Sequence, residues 1–299
     1  MSTTKSQTYP SIPLPKASIK RILCASSLTP ESDEALDYAL LLARSYGAKL
    51  FCFYSVEEFD ETNDTAYLDV ETSFTKSLAA YLSPSDIPIP DWEVIVSQGN
   101  PANKIISTAI EQEIDLIVML SRRRPLAAAL LGSTTEIVCK VAPCPVLVIH
   151  PNEKSWVNDE TNKVELSRIL VGCDFSKYSK QAFSYALEFA KTYDSSIDLL
   201  QVLPENISTG SPVFGNPVHQ SMNHMEQLIP ETAKELKITR FVAEGEPYQE
   251  LLAHMEERNV DLICIGAHGR DSKKEYLFGT TTDKILRAAK CPVLVTRYY

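Results

Sequence analysis

Residues 261–282 read DLICIGAHGRDSKKEYLFGTTT, a spacing that could cradle an anion. An apolar, strand-like run from Asp261 to Ile265 feeds directly into Gly266, with Gly269 and then Gly279-Thr280 behind it. Glycine lacks a Cβ, so the expectation is a bend that takes positive φ and lets the backbone approach a ligand closely. Main-chain N–H groups bared at such a bend, and at the start of the following helix, would point at phosphate. The hydroxyls of Thr280, Thr281 and Thr282 would add donors. The spacing is neither the dinucleotide fingerprint G-x-G-x-x-G nor the P-loop G-x-x-x-x-G-K-[ST]. Glycines after a strand also occur for turn geometry alone, so the alternative is a loop whose glycines serve only the fold. His268, between the first two glycines, could hydrogen-bond a phosphate, act as an acid or base, or be a plain surface-loop histidine.

The elements that must position this loop read as alternating strands and helices. Ile169–Cys173 is a short β-rich run, and Lys177–Tyr193 sets Ala182, Phe183, Ala186, Leu187 and Ala190 on one helical face. Ile197–Leu203 reads as a strand. A stretch with three prolines and glycines follows, then a predicted helix over Ser221–Lys237. Thr239–Ala243 is strand-like and Tyr248–Arg258 helical. Leu262–Gly266 and Pro292–Thr296 are the last strands, with a helix from about Thr281 to Ala289 between them. This alternation implies a parallel sheet covered by helices on both faces. Five strands suggest a doubly wound, Rossmann-like fold whose crevice lies at the carboxyl ends of the strands. The loop after the first strand, Gly172-Cys173-Asp174-Phe175-Ser176, should open onto the same crevice. Asp174 could accept hydrogen bonds from a ribose hydroxyl or an adenine amino group; alternatively Asp174 or Ser176 caps the next helix.

The same pattern occurs twice. RILCASSL begins at Arg21 and RILVGCDF at Arg168; in that register Tyr38 meets Tyr185, Ala43 meets Ala190 and Tyr46 meets Tyr193. DLIV at Asp115 matches DLIC at Asp261, and GSTTEIV at Gly132 matches GTTTDKI at Gly279. CPVLV occurs at Cys144 and Cys291, and Gly99 and Pro101 fall opposite Gly245 and Pro247. The α/β chain is therefore predicted as two tandem domains, 19–150 and 167–299. Each is a five-stranded, mostly parallel sheet. Residues 1–18 read as a flexible, proline-bearing leader, and the polar, charged stretch 151–166 as a linker.

Composition bounds the function classes. The chain has 299 residues, 44% hydrophobic and 23% charged, which suffices for two cores. Its net charge of −10 argues against general nucleic-acid binding, which needs basic patches against phosphate. No apolar run is long enough to span a bilayer, and residues 1–18 do not form a secretory signal. The expected compartment is the cytoplasm. Seven cysteines without a CxxC, mostly inside apolar runs, read as reduced core thiols. His219 and His224, five apart, do not share a helix face as metal ligands would.

The pattern resembles the universal stress protein family, in a tandem form. The resemblance rests on ILVGCDFS at Ile169, VAEGEP at Val242, the series Gly266, Gly269, Gly279-Thr280, and the CPVLV ending. It implies ATP binding by the second half only. Asp174 would then lie near adenine and ribose with Gly172 and Cys173 beside it, and Val202 would touch the base. Ile265 and Gly266 would line the nucleoside, and Gly269, Gly279, Thr280, Thr281 and Thr282 would hold the phosphates. It also implies Mg²⁺ or Mn²⁺ with the nucleotide and pairing of the two domains through their last strands. A homodimer of whole chains is a further expectation.

The first half departs from the pattern. Ser27 replaces the aspartate, Leu120 and Arg123 replace Gly266 and Gly269, and the loop to Gly132 is one residue shorter. A Cβ at those turn positions blocks close approach, and residues 126–131 (LAAALL) are apolar where phosphates would lie. Arg122, Arg123 and Arg124 could hold another anion or form a solvated basic loop. The apolar stretch could meet a partner or lipid, or pack on the second domain. No Ser-His-Asp set or second carboxylate is placed by motif, so catalysis is at most weak ATP hydrolysis. The leading reading is a nucleotide-dependent stress-response regulator. A slow ATP hydrolase and a non-nucleotide-binding interaction module are the alternatives.

Overall fold

The computed structural model describes residues 14–26, 30–56, 71–79, 90–121, 132–151, 153–158, 163–205, 216–269 and 279–297. In the first half β1 (Arg21–Ala25), α1 (Pro30–Tyr46), β2 (Lys49–Val56), a helical segment α2 (71–79), β3 (Trp92–Gln98), α3 (Pro101–Glu111), β4 (Leu116–Leu120), α4 (Ser133–Val141) and β5 (Val146–Ile149) follow in order. The short strands β6 (Val157–Asn158) and β7 (Lys163–Val164) pair with each other. The second half repeats the order: β8 (Arg168–Gly172), α5 (Lys177–Tyr193), β9 (Ser196–Leu203), α6 (Pro217–Leu228), β10 (Ile238–Glu244), α7 (Pro247–Glu257), β11 (Leu262–Gly266), α8 (Thr280–Ala288) and β12 (Val293–Thr296).

Within each half every pairing is parallel, with strand order β3-β2-β1-β4-β5 in the first and β10-β9-β8-β11-β12 in the second. Strands buried on both faces need apolar residues at every position, and β4, β5, β11 and β12 supply them: LIVML, VLVI, LICIG and VLVT. The last strands meet antiparallel, with Val293 opposite Val148 and Val295 opposite Val146. The halves therefore share one ten-stranded sheet rather than two separate ones. This contact removes two sheet edges that would otherwise expose unpaired N–H and C=O groups.

Two core layers result, one on each face, and each draws on both halves. Leu36, Phe183, Leu147 and Leu294 share one layer; Ala109, Val138, Leu251 and Leu286 share the other. The predicted stripe on α5 is buried, Ala182, Phe183, Ala186, Leu187 and Ala190 included. A carboxylate pins the first strand of each half at the same place. Asp115 Oδ2 accepts from the Lys20 and Arg21 amides at 2.8 and 2.9 Å. Asp261 Oδ2 accepts from the Ser167 and Arg168 amides at 2.9 and 2.7 Å.

Three expectations need correction. The helix predicted over Ser221–Lys237 begins at Pro217 and ends at Leu228; Pro230 cannot continue it, and a short 3₁₀ turn, Glu231–Ala233, follows. The polar stretch read as a linker holds a core residue. Trp156 is 1% exposed, and its ring meets Tyr38 edge-on at 4.4 Å. Its amide donates to the Tyr38 hydroxyl at 3.2 Å. The end of the segment read as leader is also engaged, with Leu14 and Ala17 partly buried against the core.

Candidate functional site

The site is built where β8 and β11 end. These neighbouring strands carry their next connections to α5 and α8, on opposite faces of the sheet. At such a point the loops diverge and leave a crevice.

The β8 loop has a defined internal structure. Gly172 ends the strand, and a Cβ there would meet Leu251 Cδ1 at 3.5 Å, an ordinary contact. The Cys173 amide donates to the Leu200 carbonyl at 2.8 Å, and its thiol is buried in the α5-side core. Asp174 is half-buried; its Oδ1 accepts from the Ser176 amide at 3.0 Å. Ser176, not Asp174, caps α5, accepting from the Ser179 amide at 3.1 Å. Between them Phe175 is held at φ 63, a region costly for a bulky residue. Its ring meets His224 of α6 edge-on at 5.6 Å.

The glycine loop converges on this carboxylate. A Cβ at Gly269 would stand 3.2 Å from Asp174 Oδ2, so the two loops predicted to share a crevice do meet. Residues 270–278 between Gly269 and Gly279 lie outside the described residues, as do Ser27, Arg122, Arg123, Arg124 and the apolar run 126–131.

The positive φ expected of these glycines does not hold. None of Gly266, Gly269 and Gly279 takes a positive φ. Gly266 is required by packing: a Cβ there would lie 2.6 Å from Tyr178 Cβ and 3.0 Å from the Ser179 amide nitrogen. Helix α5 thus crosses directly over the end of β11. Gly279 is the N-cap of α8, and its own amide donates to the Ala267 carbonyl at 3.0 Å. That amide is committed to the fold rather than bare.

Thr282 is likewise committed. It is buried, and its hydroxyl donates to the Gly266 carbonyl at 2.7 Å. The first half repeats this bond: the Thr135 hydroxyl donates to the Leu120 carbonyl at 3.3 Å. Thr280 is exposed and Thr281 half-buried, both in the first turn of α8. Among the described residues no side chain caps that turn, and the leading amides of a helix have no partner within it. A donor set of main-chain amides and hydroxyls at a helix N-terminus suits a phosphate.

The remaining predicted residues lie on or just past the ends of β9 and β11. Val202 lies near the carboxyl end of β9, half-buried and paired with Ala243. Ile265, on β11, is buried in the α8-side core. His268 is 3% exposed and meets Tyr178 edge-on at 5.1 Å, so the surface-loop reading is set aside. Among the described residues no group of His, Cys, Asp and Glu could hold a metal ion, and no helix is long and apolar enough to cross a membrane. All seven cysteines are buried. Burial pushes the Cys52 and Cys291 thiols up to about 12, as expected for inert core thiols.

Sequence reading missed one buried charge centre. Asp198 on β9 is 1% exposed and meets His254 Nε2 at 3.0 Å, Arg258 Nε at 3.2 Å and Arg168 Nη1 at 3.4 Å. Burial alone would raise its pKa. The His254 and Arg258 hydrogen bonds and the Arg168 and Arg258 charges overcome that and hold it below the usual carboxylate range. It sits in the amino-terminal part of its strand, away from the crevice. The only sequence signal was an aspartate between Ile197 and Leu199 in the strand SIDLLQVL.

Fold and site together define a class: a tandem, doubly wound α/β protein with a first-strand loop and a glycine loop meeting at the carboxyl end of its second half. The universal stress protein family model matches residues 18–150 and again 165–297, and the chain belongs to that family. Universal stress protein YxiE of Bacillus subtilis is 30% identical over 146 residues, 44% of this chain and 99% of that protein. Universal stress protein Rv2623 of Mycobacterium tuberculosis is 26% identical over 204 residues, 64% of this chain and 65% of that protein. A universal stress protein from Archaeoglobus fulgidus shares the fold at a TM-score of 0.70 and 22% identity, over 93% of this chain and 98% of that one.

Proposed function

We propose that the chain is an ATP-binding regulator whose nucleotide is held by the second half alone, within a unit spanning 167–299. The observation that carries this reading is the meeting of Asp174 and Gly269 beside a helix, α8, whose first turn has no side-chain cap among the described residues. The nucleoside would lie between Asp174, Val202 and Ile265, and the phosphates would take the first-turn amides of α8 with Thr280 and Thr281. The chain offers its own described residues no metal cluster, so Mg²⁺ or Mn²⁺ would arrive on the phosphates. Bound nucleotide would change the surface offered to a partner at this end of the sheet. The first half, 19–150, keeps Gly132 and Thr135 but has Leu120 at the position of Gly266, and would not hold ATP in this manner.

Nucleotide carried through purification tests this directly. The expected result is one adenine nucleotide per chain, lost on Asp174→Ala. Two per chain would overturn the assignment to the second half, and none, with no binding of added ATP, would leave an interaction module. Single-turnover assays compare ATP hydrolysis with that of the same variant; turnover above the variant would favour a slow hydrolase.

A further inference from the structure

Helix α8 carries a cation one turn from its start. Lys284 lies one turn beyond Thr280, and its ammonium stands 3.9 Å from the centre of the Tyr248 ring at the start of α7. Helical side chains lean towards the N-terminus, so Lys284 leans towards the turn that carries Thr280 and Thr281. The neighbouring acid does not neutralise it: both Asp283 oxygens accept from Arg287, at 2.9 and 2.8 Å. Among the described residues no ion pair holds Lys284; an aromatic face does.

The internal repeat supplies a control. Around this position α4 and α8 match charge for charge, Glu136 with Asp283 and Lys140 with Arg287, each acid paired to the base four residues on. At the position of Lys284 the first half has Ile137, 39% exposed, and at the position of Tyr248 it has the small, buried Ala102. The cation and the ring that parks it are therefore both present in the half with the glycine series and both missing from the half without it.

We infer that Lys284 reads the phosphate chain of the nucleotide, leaving the Tyr248 ring to meet the outer phosphates and so favouring a nucleoside triphosphate over a monophosphate. This rests on the second half being the nucleotide site. An anion at the first turn of α8 gives the three donors of Lys284 a stronger partner than a ring face.

The test is equilibrium binding of ATP, ADP and AMP to the full chain and to Lys284→Met and Lys284→Arg, with thermal unfolding to show that each variant folds. Lys284→Met should weaken ATP roughly tenfold, the scale of one charge-assisted contact, while AMP changes by less than about twofold. Lys284→Arg should restore the preference for ATP. Equal losses for ATP and AMP, or none, would overturn the inference while leaving the nucleotide site standing. A wild-type chain that binds no adenine nucleotide overturns both.

Discussion

The Thr282 hydroxyl donates to the Gly266 carbonyl at 2.7 Å, and Thr135 makes the equivalent bond to Leu120 at 3.3 Å in the half without the glycine series. This threonine ties the last helix of each half to the strand before it, whatever the loop binds. Thr282→Val should cost about 1–2 kcal/mol, the value of a buried hydrogen bond with its acceptor left unpaired. Thr135→Val should cost less, because its bond is longer. Denaturant midpoints of the two variants check both values, and ATP affinity should survive Thr282→Val once folding is complete.

Gly266 and Gly269 look alike in the sequence but should fail differently. A methyl at 266 runs into the Tyr178 backbone and Cβ of α5, so Gly266→Ala should destabilise by about 1–3 kcal/mol through overpacking. Among the described residues a Cβ at 269 meets only the Asp174 carboxylate, the end of a side chain that can give way. Gly269→Val should therefore keep its unfolding midpoint while losing nucleotide binding. A variant pair with the reverse pattern would show that Gly269 is the packing residue and Gly266 the ligand-facing one.

Asp198 gives the chain a specific acid sensitivity. Its pKa is lowered in the folded state, so folding stabilises the carboxylate form. That contribution is complete above the unfolded value, about 3.9, and is lost as the pH falls through the lowered folded value. Stability measured from pH 6 down to pH 2 should fall less steeply in Asp198→Asn than in wild type. At pH 7 the same variant should be weaker by roughly 1–3 kcal/mol, because His254, Arg258 and Arg168 lose their shared acceptor. Parallel pH profiles would exclude this role.

Much of this was legible in the sequence, for physical reasons that also mark its limits. Apolar runs such as LICIG and VLVT admit little but a doubly buried parallel strand, and the repeat fixed their order by showing it twice. The meeting of Asp174 with Gly269 followed from one rule about strand ends. What stayed hidden was what each glycine is for. A glycine letter records that a Cβ is excluded, not whether a ligand, a helix or a turn excludes it; at 266 it is Tyr178. Asp198 stayed hidden because its three partners come from β8 and α7, up to 60 residues away along the chain.

Trp156 shows the same limit in the stretch between the halves. Polar neighbours, in PNEKSWVNDETNKVEL, mask a side chain that is almost wholly enclosed. Its ring meets Tyr38 of α1 at 4.4 Å and Tyr193 of α5 at 6.5 Å, so it bridges helices from both halves on one face of the sheet. Removing it opens a cavity under both helices at once. Trp156→Ala should destabilise by about 3–5 kcal/mol, as large aromatic truncations in cores do. Trp156→Phe, which keeps most of the volume, should recover most of that. If the stretch were only a connector, Trp156→Ala would unfold at the wild-type midpoint, and the two halves would owe their shared core to the β5–β12 pairing alone.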